Sequence, residues 1–234
     1  GSVYADRMSG LLGIRAARMR IVSLGLNLEG QGGPREPRRA GPFVIGFLAR
    51  ISPEKGFDQL AQAFRLVSER AGPGKVVLRA AGYLGPSDRP YFDQVRRRIE
   101  SWGLAASFEY VGELDRAAKI EFLRGLDLLS VPTIYRESKG LSVLEALANG
   151  VPVVQPAHGS FPEIIEKTGG GVLFEPGSVD ALASALESLI ADPSRRRALG
   201  EKGEEAVRRL YSDETMARDT LTVYLSALSS AGGS

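Results

Sequence analysis

Between residues 41 and 190 two patterns alternate, and that alternation limits the fold more than any other feature of the sequence. Short apolar runs rich in β-branched residues, "FVIGFLA", "KVVLRAAG", "FEYVG", "LDLLSVP", "VPVVQP" and "GGVLFE", read as strands. Longer segments with helical spacing lie between them. In "FDQLAQAFRLVSER", Leu60, Phe64, Val67 and Ala71 fall on one stripe that can face a sheet. Asp115 is placed to cap "DRAAKIEFLRG", Ser160 and Glu163 have capping-box spacing in "SFPEIIEK", and Ser178 opens "SVDALASALESLIAD" in the same style. Strands alternating with helices imply right-handed crossovers, hence a parallel sheet covered on both faces. The prediction is an α/β, Rossmann-like, doubly wound domain over residues 41–228, with C-terminal helices beyond Asp192.

The ends differ from this body. "YADRMSGLLGI" reads as a helix and "RMRIVSLGL" as a strand running into a Gly turn. "EGQGGPREPRRAGP" carries no core-forming residues and reads as a linker. Residues 1–40 are therefore expected to be the end of a preceding unit plus a linker. The tail 229–234, "SSAGGS", is expected to be disordered.

Composition excludes several classes of function. The chain has 234 residues, with 30 basic and 28 acidic side chains, a balance that gives no argument for nucleic acid. The basic clusters "VRRRIE" and "SRRRAL" read as solvated helix faces, with contact to an acidic membrane surface as the alternative. There is no cysteine, which excludes disulfides and thiolate chemistry and fits a reducing, cytoplasmic setting. No apolar run approaches the ~18 residues of a membrane-spanning helix, and the start "GSVYADRMSG" lacks the apolar core of a signal peptide.

In an open parallel sheet, ligands bind beyond the carboxyl ends of the strands. Two loops there carry unusual charge. In "LARISPEKGFDQL", Arg50 follows a strand and Lys55 precedes Gly56 and a helix, so two cations meet a helix N-terminus. A cation about 4 Å from a phosphate is worth roughly 4 kcal/mol gross at an effective dielectric near 20. The helix dipole gives only about 0.3–2 kcal/mol, so the side chains would decide whether a diphosphate binds. The plain alternative is a solvated turn in which they meet only water and Glu54. The pattern is not a Walker loop. In "TIYRESKGLSVLEALANG", Gly140, Leu141 and Ser142 would present free N–H groups at a helix start. Glu145, one turn in, could accept from vicinal hydroxyls of a ribose, and Glu137, in the loop, from another polyol. Singly, the two carboxylates could equally be dipole compensation and an exposed loop charge. The sole histidine, His158, follows "VPVVQP" and reads as structural or as approaching the same edge; nothing supports a catalytic dyad around it.

These stretches together resemble the retaining glycosyltransferases of the GT-B fold, group 1 (family 4), specifically their C-terminal, donor-binding domain. "RESKGLSVLEALANGVPVV" is similar to the family's E-x7-E signature, and "IGFLARISPEKGFDQL" to its diphosphate loop. "AHGSFPEII", "GGVLFEPGSVDALASAL" and "RIVSLGLNLEG" are similar to its post-strand turn, last strand and helix, and interdomain stretch. The resemblance runs in order from about residue 20 to about residue 225. It implies that Arg50 and Lys55 bind the donor diphosphate and stabilise the leaving group without a metal. It implies that Glu145 binds the ribose, Glu137 the hydroxyls of the donor sugar, and Gly140, Leu141 and Ser142 the phosphate. Gly112 and Leu114 would lie beside the base. A nucleotide sugar, UDP- or GDP-linked, is then the substrate, no cofactor is needed, and transfer retains configuration by front-face attack.

The family's pattern is not kept everywhere. Ser138-Lys139-Gly140 stands where Gly-Phe-Gly is common, so Lys139 could meet a phosphate, an acidic sugar or water; Ala49 replaces a frequent Gly. The family's N-terminal domain, which carries the acceptor site, has no counterpart here. The chain alone is therefore expected to bind donor and transfer poorly. The acceptor, whether lipid, polysaccharide or small metabolite, and any peripheral membrane contact stay open. A non-catalytic nucleotide-sugar module or a subunit of a split enzyme would use the same residues. A glycoside hydrolase would need Glu137 and Glu145 across a bond at about 5–10 Å and would leave Arg50 and Lys55 without a role. A sugar epimerase or phosphorylase on the same fold would keep them.

Overall fold

The computed structural model describes residues 2–15, 18–33 and 41–231. Six strands form one parallel sheet: β1 (Phe43–Leu48), β2 (Val76–Ala81), β3 (Phe108–Tyr110), β4 (Leu128–Leu129), β5 (Val153–Pro156) and β6 (Gly171–Phe174). Their spatial order is β3-β2-β1-β4-β5-β6. The register pairs Ile45 with both Leu78 and Leu128, and Leu129 with Val153. Continuous apolar runs suit these strands because both faces of the sheet are covered: β1 is buried from Val44 through Leu48. The expected Rossmann-like, doubly wound α/β architecture is present.

The helices are α1 (Ser2–Leu12), α2 (Phe57–Ala71), α3 (Arg89–Ser101), α4 (Arg116–Arg124), α5 (Leu141–Ala148), α6 (Phe161–Thr168), α7 (Val179–Ala191), α8 (Pro193–Leu210) and α9 (Asp213–Ala231). α2 packs against α3 and α7, while α5 and α6 pack against α8. Leu60, Phe64 and Val67 of α2 are buried as the stripe predicts, but Ala71 is exposed at the last turn. An aromatic cluster ties α2 and α3 to the sheet: Phe57 stands 5.1 Å from Phe47 and 5.8 Å from Phe108, and Phe92 stands 4.8 Å from Tyr110.

Two of the three expected caps form. Asp115 accepts from the Ala118 N–H at 2.9 Å, and Ser178 from the Ala181 N–H at 3.1 Å. The capping box at Ser160 does not. A capping residue needs extended backbone, whereas Ser160 is helical at φ −82, ψ −12 and makes no side-chain cap bond. Glu163 turns instead to Lys167 at 2.7 Å.

The ends depart further from expectation. No strand forms over 18–26; Leu26 alone makes a bridge, to Ser212 at the start of α9. The next residues are held against the body by arginines. Arg116 donates to the Glu29 carbonyl at 2.6 Å, Arg124 to those of Gly30 and Gly32 at 3.0 and 2.9 Å, and Arg208 to that of Gln31 at 2.6 Å. The start of the expected linker is thus a docked strap. Residues 34–40 of that linker lie outside the described residues. α9 runs through Ala231, past the expected start of the tail at Ser229; 232–234 also lie outside the described residues.

Candidate active site

Six parallel strands bring their carboxyl ends to one edge. The strand order reverses between β1 and β4: the chain moves from β1 outward to β3, returns to β4, and moves outward again to β6. Loops that leave neighbouring strands toward opposite faces open a crevice at that point. The two loops flagged by charge, 49–56 and 130–140, are the loops that leave β1 and β4.

The first loop is short and tightly set. Ile51 and Ser52 are buried, and Pro53–Lys55 forms a single 3-10 turn. Gly56 closes it at φ 71 and starts α2. A Cβ on Gly56 would lie 1.9 Å from the Pro132 carbonyl oxygen, so only glycine lets the two loops touch here. The Ile134 N–H also donates to the Glu54 carbonyl at 3.0 Å. Through these contacts the β1 and β4 loops form one unit.

That unit brings Lys55 and Glu137 together. The Lys55 ammonium donates to Glu137 Oε2 at 2.8 Å and to the Tyr135 hydroxyl, and lies 4.9 Å from the centre of the Tyr135 ring. The Tyr135 hydroxyl donates to the same Glu137 oxygen at 2.6 Å. The other oxygen, Oε1, accepts from the Ser138 and Lys139 N–H groups at 3.0 and 3.2 Å. Burial pushes the Glu137 carboxyl up, but the bonds from Lys55, Tyr135 and the Lys139 N–H outweigh it and hold the group down at about 2. Burial likewise depresses Lys55, and the bonds to Glu137 and Tyr135 more than reverse it, leaving Lys55 raised.

The β5 loop supports this trio from behind. The Ser160 N–H donates to the Glu137 carbonyl at 2.8 Å, and a Cβ on Gly159 would come within 2.5 Å of that oxygen. His158 holds Thr133: its Nε2 lies 2.9 Å from the Thr133 carbonyl oxygen, so that nitrogen carries the proton. Its observed role is structural, as a tie between two loops.

The remaining candidates lie on α5 and in the loops after β1, β3 and β4. Gly140, at φ 64, caps α5, whose first residues are the exposed Leu141 and half-buried Ser142. The first N–H groups of a helix have no partner within it. Glu145 is half-buried one turn further on and paired with Lys119 of α4. Arg50 is exposed and bonded to Glu54. Lys139 is exposed. Gly112 and Leu114 follow β3, two strands from β1; the Gly112 carbonyl accepts from the Gly82 N–H at 2.8 Å, and Leu114 packs against the core.

Sequence reasoning missed Tyr135 and Lys119. Tyr135 had a local signal, an aromatic hydroxyl two positions before a singled-out glutamate. Lys119 had none, since it reaches Glu145 only through the packing of α4 beside α5. Among the described residues, no group of three or more His, Cys, Asp or Glu is placed to hold a metal ion, and no helix is long and apolar enough to cross a membrane.

Comparison with known proteins sets this geometry in a family. The model of the group 1 glycosyl transferases matches residues 34–206. The D-inositol 3-phosphate glycosyltransferase of Kribbella flavida is 30% identical over 235 residues, covering 95% of this chain and 54% of that protein. The 2-deoxystreptamine N-acetyl-D-glucosaminyltransferase of Streptomyces fradiae is 30% identical over 188 residues, covering 76% and 43%. The chain thus spans about half the length of the curated relatives it matches. Among solved structures, the C-terminal domain of the group 1 protein LpcC from Francisella tularensis superposes with a TM-score of 0.72 at 25% identity, covering 81% of this chain and 100% of that one. Anabaena Alr3699/HepE, solved with UDP and glucose, superposes at 0.78 with 22% identity, covering 92% and 58%. With the family match extending over most of its length, the chain belongs to the group 1 glycosyl transferases of GT-B fold.

Proposed function

We propose that this chain is the donor-binding half of a retaining glycosyltransferase that moves a hexosyl-type sugar from a nucleoside diphosphate sugar to an acceptor. The observation that carries the reading is the meeting of Lys55 with Glu137 at the strand-order reversal, beside the start of α5. A cation, a carboxylate and a helix N-terminus at one crevice fit an anion joined to a polyol. Arg50 and Lys55 take the diphosphate with the N–H groups of Gly140, Leu141 and Ser142. Glu145 takes the ribose, Glu137 the sugar hydroxyls, and the loop at Gly112 and Leu114 the base. Charge growing on the departing diphosphate is stabilised by the two cations, which is electrostatic catalysis by groups already in place.

UDP is favoured as the nucleotide by the UDP-bound relative of the same fold. The chain spans 54% of the length of the D-inositol 3-phosphate glycosyltransferase it matches, and the proposal leaves the acceptor open. Donor binding with little transfer is the behaviour expected of these 234 residues alone, in a cytoplasmic setting.

Calorimetric titration with UDP, GDP, ADP and their sugars tests the reading. Lys55→Ala and Glu145→Ala are each expected to weaken one nucleotide by at least about tenfold, the equivalent of about 1.4 kcal/mol. Unchanged affinity in both variants would remove the proposed site.

A further inference from the structure

We propose that Lys55, Tyr135 and Glu137 form a latch that a nucleoside diphosphate must open before the sugar can be read, with Tyr135 as its positioning residue. The inference rests on the donor-site reading above and adds an order of events to it. A carboxylate offers about four lone-pair sites. Glu137 accepts four bonds, from Lys55, Tyr135, the Ser138 N–H and the Lys139 N–H. As it stands, its carboxylate has no lone pair left for a sugar hydroxyl.

Something must let go, and the geometry says which group. The Ser138 and Lys139 bonds belong to the turn of the loop itself. The backbone of Glu137 is pinned by the Ser160 N–H and packed against Gly159. The Tyr135 hydroxyl donates at 2.6 Å from the same loop. Lys55 alone comes from another strand's loop, and it sits at the end of a flexible four-carbon stem. A diphosphate competes for that ammonium with two negative charges or more. Once the diphosphate takes Lys55, Glu137 keeps three of its bonds and exposes one lone pair to the sugar. A sugar without its diphosphate meets a filled carboxylate. The latch thereby makes the anionic part of the donor a condition for reading the neutral part.

The decisive variant is Tyr135→Phe, which leaves every charge in place. The bond from Lys55 to the Tyr135 hydroxyl exists only in the latched state, whereas the bond from that hydroxyl to Glu137 exists in both. Its loss should therefore favour release of Lys55. Titration of the full chain with UDP and GDP is expected to show binding to Tyr135→Phe about three- to tenfold tighter than to the unchanged protein. The extra affinity gained from UDP-glucose or GDP-mannose over the bare nucleotide should shrink. Glu137→Gln should tighten the bare nucleotides too, but its lost charge does that without a latch, so it cannot stand alone. In carbon-13 spectra, the Glu137 carboxyl and the Lys55 Cε signals should both move when UDP or GDP is added.

Equal or weaker nucleotide binding by Tyr135→Phe, or unmoved Glu137 signals on saturation, would overturn the latch. The donor site is judged separately by Lys55→Ala. If that variant loses affinity while Tyr135→Phe does not gain it, only the latch falls. If the unchanged chain binds none of the nucleotides, the latch falls together with the donor site.

Discussion

Glu137 is half-buried, ionised and fully bonded, and this makes it a pH sensor for the fold as well as a candidate ligand. Its folded-state value of about 2 lies below the ordinary 4.5. A depressed carboxyl contributes stability that is complete above the unfolded value and is lost as pH falls through the folded one. Acid unfolding should therefore steepen between about pH 4.5 and 2, and Glu137→Gln should remove that part of the slope. Lys55 works in the opposite sense: its raised value contributes below the ordinary 10.5 and is lost only as pH climbs beyond it. Chemical denaturation at several pH values reads both; a Glu137→Gln curve parallel to the original through the acid range would refute the first. The sequence offered both charges of this pair as site residues, but not their pairing. They are 82 positions apart, and no spacing rule links two loops at that distance.

At the level of elements, the site depends on one backbone contact. Gly56 has the left-handed conformation and lies against Pro132, so Gly56→Ala must both strain φ and push the β4 loop away. We expect a loss of about 1–3 kcal/mol in stability. Nucleotide affinity should fall with it, because the β1 loop would no longer hold Lys55 beside the start of α5, where the diphosphate is proposed to sit. A calorimetric melt paired with a UDP titration checks this; an unchanged melting temperature would mean that the loops do not bear on each other. The element-scale reading of the sequence succeeded where a local cause was enough. The stripe of α2 and the caps at Asp115 and Ser178 are set by nearby residues. It failed where a distant partner decided. Ser160 is helical rather than extended, and its N–H, which Glu163 would accept from in a capping box, goes to the Glu137 carbonyl instead. Residues 18–26 have strand-like composition, but only Leu26 reaches a partner, at Ser212.

For the whole molecule, two features of the ends matter. The strap at 26–33 is bound through its carbonyls by Arg116, Arg124 and Arg208, and Asn149 joins it to α5 by accepting the Gly32 N–H at 3.1 Å. The apolar residues of α9 are divided between the body and the surface. Leu221, Tyr224 and Leu228 are exposed, with Leu225 beside them, whereas Met216 is tucked in and accepts from the Gly25 N–H at 3.2 Å. Exposed apolar side chains contribute little to the fold they stand on, so Leu225→Gln with Leu228→Gln should change stability by less than about 0.5 kcal/mol. Their effect should appear instead in sedimentation at high concentration, as reduced self-association. A large fall in melting temperature would show that α9 is packed more deeply than its exposure indicates.

The alternation of strands and helices, the parallel sheet, the helix faces and the charged loops were determined by the sequence, because periodicity and capping act over a few residues. Arg50, Lys55, Glu137 and Glu145 could also be singled out as candidates from the sequence, because charges at strand ends stand out against apolar runs, whereas Tyr135 and Lys119 do not stand out in this way. Only the tertiary structure decided the strand order. By placing β4 beside β1 it brought two loops with no sequence relation into contact at the carboxyl edge of the sheet. It also decided that Tyr135 completes the Lys55–Glu137 pair and that Lys119 meets Glu145. Such contacts follow from how layers pack across the sheet, and packing is a property of the whole chain rather than of any stretch of it.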